Sequence, residues 1–177
     1  MECGYNSCNF ARLLSSIGNS PQRLWNVKQM LSTSACPPQT NKAKRGISTQ
    51  SDRCTRCNLY VETPDHVLVE CPAARTTWSW IWRWCDLPEN NFNTIEETIN
   101  YAANWGKCVK KMRILISICY DTLWWIWKAR NENVFKKLCI PPTTVADNIQ
   151  SMVYIWIKHR SSIKAKNWAE CCSNPLT

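Results

Sequence analysis

Glycine is scarce in this chain, at four residues in 177, and histidine scarcer still, at two. So little glycine argues against a loop-rich or all-β fold, whose turns call for positive backbone φ. The five aspartates, at 52, 65, 86, 121 and 147, include no adjacent pair and no Tyr-x-Asp-Asp. The paired carboxylates that hold two metal ions for polymerase chemistry are therefore missing. A four-carboxylate nuclease site is not readable either. The longest apolar stretch, Met112–Trp127, is 16 residues long and carries Arg113 and Asp121. A membrane span needs about 20 residues with few charges, so this stretch reads as a buried core helix. The first residues, MECGYNSCNFARLLSSIG, lack a basic segment leading into an apolar core and a small-residue cleavage site. Cys171-Cys172 does not stand fourth from the end, where prenylation would need a cysteine. The expectation is an intracellular protein of nucleus or cytoplasm, not secreted, with thiols free and buried or held on metal.

What the chain does have is tryptophan, cysteine and positive charge. It carries eleven Trp, twelve Cys and a net charge of +9. The length suits one ordinary domain with a real core. The charge suits a polyanionic partner without naming one.

Residues 1–35 read as a loose arm with a short amphipathic helix near Pro21–Leu31, and Cys36-Pro37-Pro38 breaks any helix there. Thr63-Pro64-Asp65 is a helix start, with a hydroxyl cap, proline at the first helical position and an acid in the first turn. That helix is short, because Pro72 disfavours helical dihedrals at Cys71. From Ala73 a second helix places Trp78, Trp82 and Cys85 on one face, with Trp80 and Trp84 widening the apolar girth. Thr94 and Glu97 form a capping box for a helix running to Trp105. A long helix follows from Lys107 to Leu138, with Met112, Leu115 or Ile116, Cys119, Leu123, Ile126 or Trp127, and Val134 as its core stripe, and Pro141-Pro142 as its stop. A last helix starts near Thr144 and Asp147 and faces Ile149, Val153 and Trp156 inward. The tail after Trp168 is expected to lack fixed structure. The fold class is mostly α, a helical domain with a small irregular element like a Cys-Cys-His-Cys zinc knuckle.

That element is Cys54-x2-Cys57-x8-His66-x4-Cys71. Zinc favours four tetrahedral ligands drawn from thiolate and imidazole. The x2 spacing lets one tight turn present two thiolates, and the x8 insertion returns the chain. A chance CxxC among twelve cysteines is the bland alternative. One of only two histidines standing at ligand spacing beside a third cysteine weighs against it. A redox CxxC would want a strand-to-helix junction, which is absent. Four ligands close a site, whereas catalytic zinc keeps a position open for water. The order of the motifs also departs from the zinc deaminases, in which H-x-E precedes P-C-x-x-C. One structural Zn²⁺ is the expectation, and no enzyme activity.

The same stretch resembles the reverse-transcriptase zinc-binding domain of plant non-LTR (LINE-type) retrotransposon polyproteins. Pro37, Asn41, Arg45, Gly46 and Ile47 match a lead-in of that family. Glu62-Thr63 stands before His66, and Cys71-Pro72-Ala73 with Trp78 follows. Trp127, Arg130, Asn131 and Phe135 keep the order of its later W-x-x-R-N pattern. Lys42 and Pro38 depart from it, where Leu and Thr are usual. The resemblance spans roughly residues 36–138 and implies an accessory domain detached from its polymerase, with residues 139–177 as a C-terminal helix and tail.

Positive charge gathers around the knuckle at Lys42, Lys44, Arg45, Arg53 and Arg56, again at Lys107, Lys110, Lys111 and Arg113, and again at Lys158, Arg160, Lys164 and Lys166. Lys44, Arg45, Arg53 and Arg56 are the expected contacts to RNA or DNA. A competing reading makes the chain a protein-interaction module that docks through its Trp-rich helix, on a reverse transcriptase or another partner. The tryptophans, at helical spacing, are expected in the core first. Arg130-Asn131 is expected to be a buried hydrogen-bonding pair that positions its neighbours.

Overall fold

The computed structural model describes residues 52–160 and 167–176. The N-terminal arm and the lead-in with Pro37, Asn41, Lys44, Arg45, Gly46 and Ile47 lie outside the described residues. Among those described, five α-helices follow a short π-helical turn at His66–Glu70. They are α1 (Pro72–Trp84), α2 (Ile95–Ala103), α3 (Val109–Lys136), α4 (Pro142–Arg160) and α5 (Trp168–Ser173). One antiparallel bridge, Arg53 to Val61, is the only strand pairing among them. The domain is mostly α-helical, as the low glycine content and helical spacing imply.

Helix α3 is the axis. From Ile114 to Leu123 every residue is buried, whichever side of the helix it occupies. Its internal hydroxyls satisfy themselves on the preceding turn: Ser117 Oγ donates to Arg113 O at 2.9 Å and Thr122 Oγ1 to Ile118 O at 2.8 Å. Among the described residues no helix is long and apolar enough to cross a membrane. Helices α2 and α4 pack on α3, α1 packs on α4, and α5 closes on α4. Helix α1 sends Trp78 and Trp82 into the core, stacked at 5.2 Å between centroids. Phe92 and Tyr101 meet the Trp82 ring edge-on at 6.0 and 5.8 Å. Trp84 is also buried, its Nε1 donating to Cys171 O at 2.8 Å, whereas Trp80 faces solvent.

Several boundaries differ from expectation for local reasons. Helix α3 ends at Lys136, ahead of Pro141, because Lys137 takes a left-handed φ of 56°. The N–H groups of Lys137 and Leu138 then return to Asn133 O and Glu132 O, closing the helix end. Helix α4 starts two residues before Thr144, with Pro142 at its first position, where its missing N–H costs nothing. Its buried stripe is Val145, Ile149, Val153 and Ile157, a run of four-residue steps that leaves Trp156 half-buried. Helix α5, at Trp168–Ser173, falls in the stretch expected to lack fixed structure. Asn167 and Glu170 form a reciprocal capping box for α5, and Cys171 and Leu176 are buried. In α2, Thr94 Oγ1 accepts from Glu97 N as expected, but the Glu97 carboxylate reaches back to Asn93 N rather than to Thr94 N.

Candidate metal centre

Two local structures bring the four candidate ligands together. The first is the turn from Cys54 to Val61. Asn58 N donates to Cys54 O and Cys54 N to Tyr60 O, both at 2.8 Å. Asn58 takes the left-handed conformation at φ 61°, which asparagine tolerates better than most residues. The turn faces Cys54 and Cys57 the same way. The backbone N–H groups of Arg56 and Cys57 point at the Cys54 sulfur.

The second is the segment Thr63–Cys71. Thr63 Oγ1 accepts from His66 N at 3.0 Å, the expected hydroxyl cap. The chain then winds as a π-helical turn, closed by Cys71 N to His66 O, five residues back, at 2.6 Å. In an α-helix, residues five apart stand about 140° apart. In the wider π-turn they lie roughly one turn apart, so His66 and Cys71 look toward the same point. Cys71 itself is extended (φ −53°, ψ 134°), as a residue preceding proline prefers, and Pro72 opens α1. The proline break expected to turn Cys71 back is present, and the π-turn acts together with it.

The ligand atoms of Cys54, Cys57, His66 and Cys71 all lie within 4.8 Å of one another. Cys54 Sγ is 3.9 Å from Cys71 Sγ, and Cys57 Sγ is 3.3 Å from His66 Nε2. A tetrahedron with ~2.3 Å metal–sulfur and ~2.0 Å metal–nitrogen bonds has edges of about 3.5–3.8 Å. The two edges at 3.9 and 3.3 Å are close to that size, the widest spacing of up to 4.8 Å is looser, and the soft donor set suits zinc. Cys54, His66 and Cys71 are buried and Cys57 is half-buried. The hydrogen bond from Cys54 holds the Cys71 thiol below its ordinary range, helped by the Ala73 and Ala74 N–H groups at the start of α1. The same bond, with burial, pushes the Cys54 thiol well up. Two sulfurs held 3.9 Å apart form an arrangement that a cation can bridge. His66 Nδ1 lies 4.0 Å from Glu70 Oε2, which leaves Nε2 turned to the sulfurs.

The knuckle is bolted to the helices. Glu62, fully buried, meets buried Arg130 of α3 at 2.5 Å between Oε1 and Nη2. Its other oxygen accepts from Thr55 N at 3.2 Å and Thr55 Oγ1 at 3.4 Å. Asn133 Nδ2 donates to Thr55 O at 3.1 Å. Trp78 Nε1 donates to Leu68 O at 2.8 Å, and Asp65 Oδ1 accepts the Ile95 N–H that opens α2. Arg130 and Asn131 are hydrogen-bonded, Arg130 Nη1 donating to Asn131 Oδ1 at 3.0 Å, but only Arg130 is buried and Asn131 is half-buried, so the pair expected from sequence is buried on one side alone. The partner of Arg130, Glu62, was missed. The one available signal was a charge inside an apolar helix, which requires an opposite charge somewhere.

The two described arginines proposed for nucleic acid separate. Arg53 is exposed, its Nη1 lying 3.4 Å from Asn58 O and 3.3 Å from Leu59 O on the knuckle. Arg56 turns its guanidinium inward, Nη2 donating to Ile140 O at 3.0 Å and Nη1 buried. It ties the knuckle to the connection between α3 and α4. Lys44 and Arg45 lie outside the described residues.

Fold and site together define a helical domain carrying a Cys₃His cluster able to coordinate a metal ion. The family described as zinc-binding in reverse transcriptase matches residues 19–78, about a third of the chain, including all four cluster residues. The match starts earlier and ends earlier than the resemblance read over 36–138. The family it names is the small zinc-binding accessory element and not the catalytic polymerase. No curated protein and no solved structure matches the chain.

Proposed function

We propose that this chain is a non-catalytic accessory domain, derived from a retrotransposon reverse transcriptase of the non-LTR type, that holds one structural Zn²⁺ and contacts RNA or DNA. The observation that carries the metal reading is the closed set of four donors, Cys54, Cys57, His66 and Cys71, three of them buried. Such a set leaves no position for a reacting water, so its zinc would hold shape. Zinc binding then contributes to folding directly. The nucleic-acid reading is supported by the +9 charge, by exposed Arg53 beside the cluster and by the exposed Lys107, Lys110, Lys111 and Arg113 at the start of α3. Lys44 and Arg45 belong to the same proposed surface. An intracellular location, nucleus or cytoplasm, goes with this reading.

Elemental analysis of the purified chain should find one zinc per molecule, lost together with helicity in Cys57→Ser and His66→Ala. A folded, metal-free wild type would overturn the metal assignment. Anisotropy titrations with labelled RNA and DNA should show affinity falling steeply between 50 and 200 mM salt, because phosphate contacts release counterions. Absence of binding at 50 mM salt would overturn the nucleic-acid reading. Docking on a protein through the Trp-rich α1 keeps support from Trp80 alone, 44% exposed, since Trp78, Trp82 and Trp84 are buried.

A further inference from the structure

Three consecutive large apolar residues stand exposed on the knuckle: Leu59, Tyr60 and Val61, at 61, 60 and 47%. A run of this kind on a soluble surface is a fault unless something binds it. The run is held rigidly. Cys54 N donates to Tyr60 O, Val61 bridges to Arg53, Asn58 sets the left-handed bend, and Cys54 and Cys57 anchor the base. The Tyr60 ring rests against the His66 imidazole at 5.4 Å between centroids, tilted by 51°. Arg53 lays its guanidinium along the same tip, by Asn58 O and Leu59 O.

We infer that Tyr60 is a stacking platform for an unpaired base of single-stranded nucleic acid, with Arg53 beside it for the adjoining phosphate. This inference rests on the nucleic-acid reading above. Two features favour nucleic acid over a protein as occupant. An exposed aromatic ring next to an exposed guanidinium is a recurrent pairing for base and backbone. The whole chain carries excess positive charge. The strand must be single because a base in a duplex has no free face to offer.

The test uses the full zinc-loaded chain and three fluorescein-labelled probes: oligouridine, an abasic strand of the same length, and a duplex. Zinc content and circular dichroism establish that each variant folds. Tyr60→Ala should weaken oligouridine binding about tenfold, the loss of one stacked base. Tyr60→Phe, which keeps the ring, should stay within about twofold of wild type. The abasic strand should bind more weakly and be indifferent to Tyr60→Ala. Unchanged oligouridine affinity in folded Tyr60→Ala would overturn the inference, assigning the apolar tip to a protein contact while leaving phosphate binding intact. If the wild type binds none of the three probes, the nucleic-acid reading fails with it.

Discussion

Arg130 Nη2 and Glu62 Oε1 meet at 2.5 Å, with both side chains essentially removed from solvent. One belongs to the C-terminal third of the domain's central helix and the other to the knuckle that carries the four candidate ligands, 68 residues earlier. The pair joins two parts of the molecule that contain different kinds of glue, an apolar core on one side and a ligand cluster on the other.

Breaking this pair from one side should therefore be costly. Glu62→Leu leaves a buried guanidinium without its counter-charge, and Arg130→Met leaves a buried carboxylate. Each should destabilise by about 3–5 kcal/mol. The double variant Glu62→Leu/Arg130→Met removes both charges and should recover much of that loss, since a buried ion pair adds little over an apolar pair of similar volume. Urea unfolding of zinc-loaded proteins gives the three values. Additive losses in the double variant would disprove the coupling.

Asp121 gives the fold a pH dependence. It is buried in the middle of α3, and neither carboxylate oxygen has a hydrogen-bond partner among the described residues. Burial raises its pKa from 3.8 to about 8. Between those two values the folded chain holds a proton that the unfolded chain has released. Stability contributed by this group must then decline as pH rises from about 4 to about 8, with a limiting slope of ~1.4 kcal/mol per unit, and level off above. Asp121→Asn should flatten that decline and raise the melting temperature most at pH 8. A variant with the wild-type pH profile would show that the carboxyl finds a partner in solution.

The second carboxylate of interest is Glu70, behind the imidazole. Groups that orient a ligating histidine commonly affect metal affinity by 10–100-fold. At 4.0 Å from Nδ1 and partly exposed, Glu70 should act at the weak end. Glu70→Ala should lower zinc affinity about tenfold in competition with a chromogenic chelator, with the helical content unchanged at saturating zinc. Loss of the fold at saturating zinc would mean that Glu70 serves the π-turn itself.

How much of this was legible follows from what each feature depends on. Helices α1 to α4 were visible because local rules act within a turn or two: caps at Thr63 and Thr94, proline at a first position, apolar residues at helical spacing. The four candidate ligands were visible because cysteine and histidine at that spacing leave few other readings. The π-turn was not, since five-residue closure depends on where Cys71 must end up and on no residue type within His66–Glu70. Glu62 stands out in the sequence only as part of a motif, because its partner Arg130 lies on a distant helix. The inward turn of Arg56 depends on the carbonyl of Ile140, 84 residues away. Helix α5 meets α1 through Trp84 Nε1 and Cys171 O, a long-range contact that the polarity of the segment hides.

Cys108 should be the most reactive of the described thiols. It is exposed at the N-cap of the 28-residue α3. The N–H groups of Lys111 and Lys110 hold its thiol below the ordinary range, and the lysine charges add to this. Reactivity follows the thiolate fraction and access together, so Cys108 should alkylate first at neutral pH. Cys85, Cys119 and Cys171 are buried and should react only on unfolding. Peptide mapping after brief iodoacetamide treatment of the zinc-loaded chain reads the order among these four. In urea the preference for Cys108 should vanish, because it comes from the folded helix end and not from the neighbouring sequence. A preference that survives unfolding would instead assign it to the local lysines, and Lys110→Gln/Lys111→Gln would then abolish it where the helix-end account expects most of it to persist.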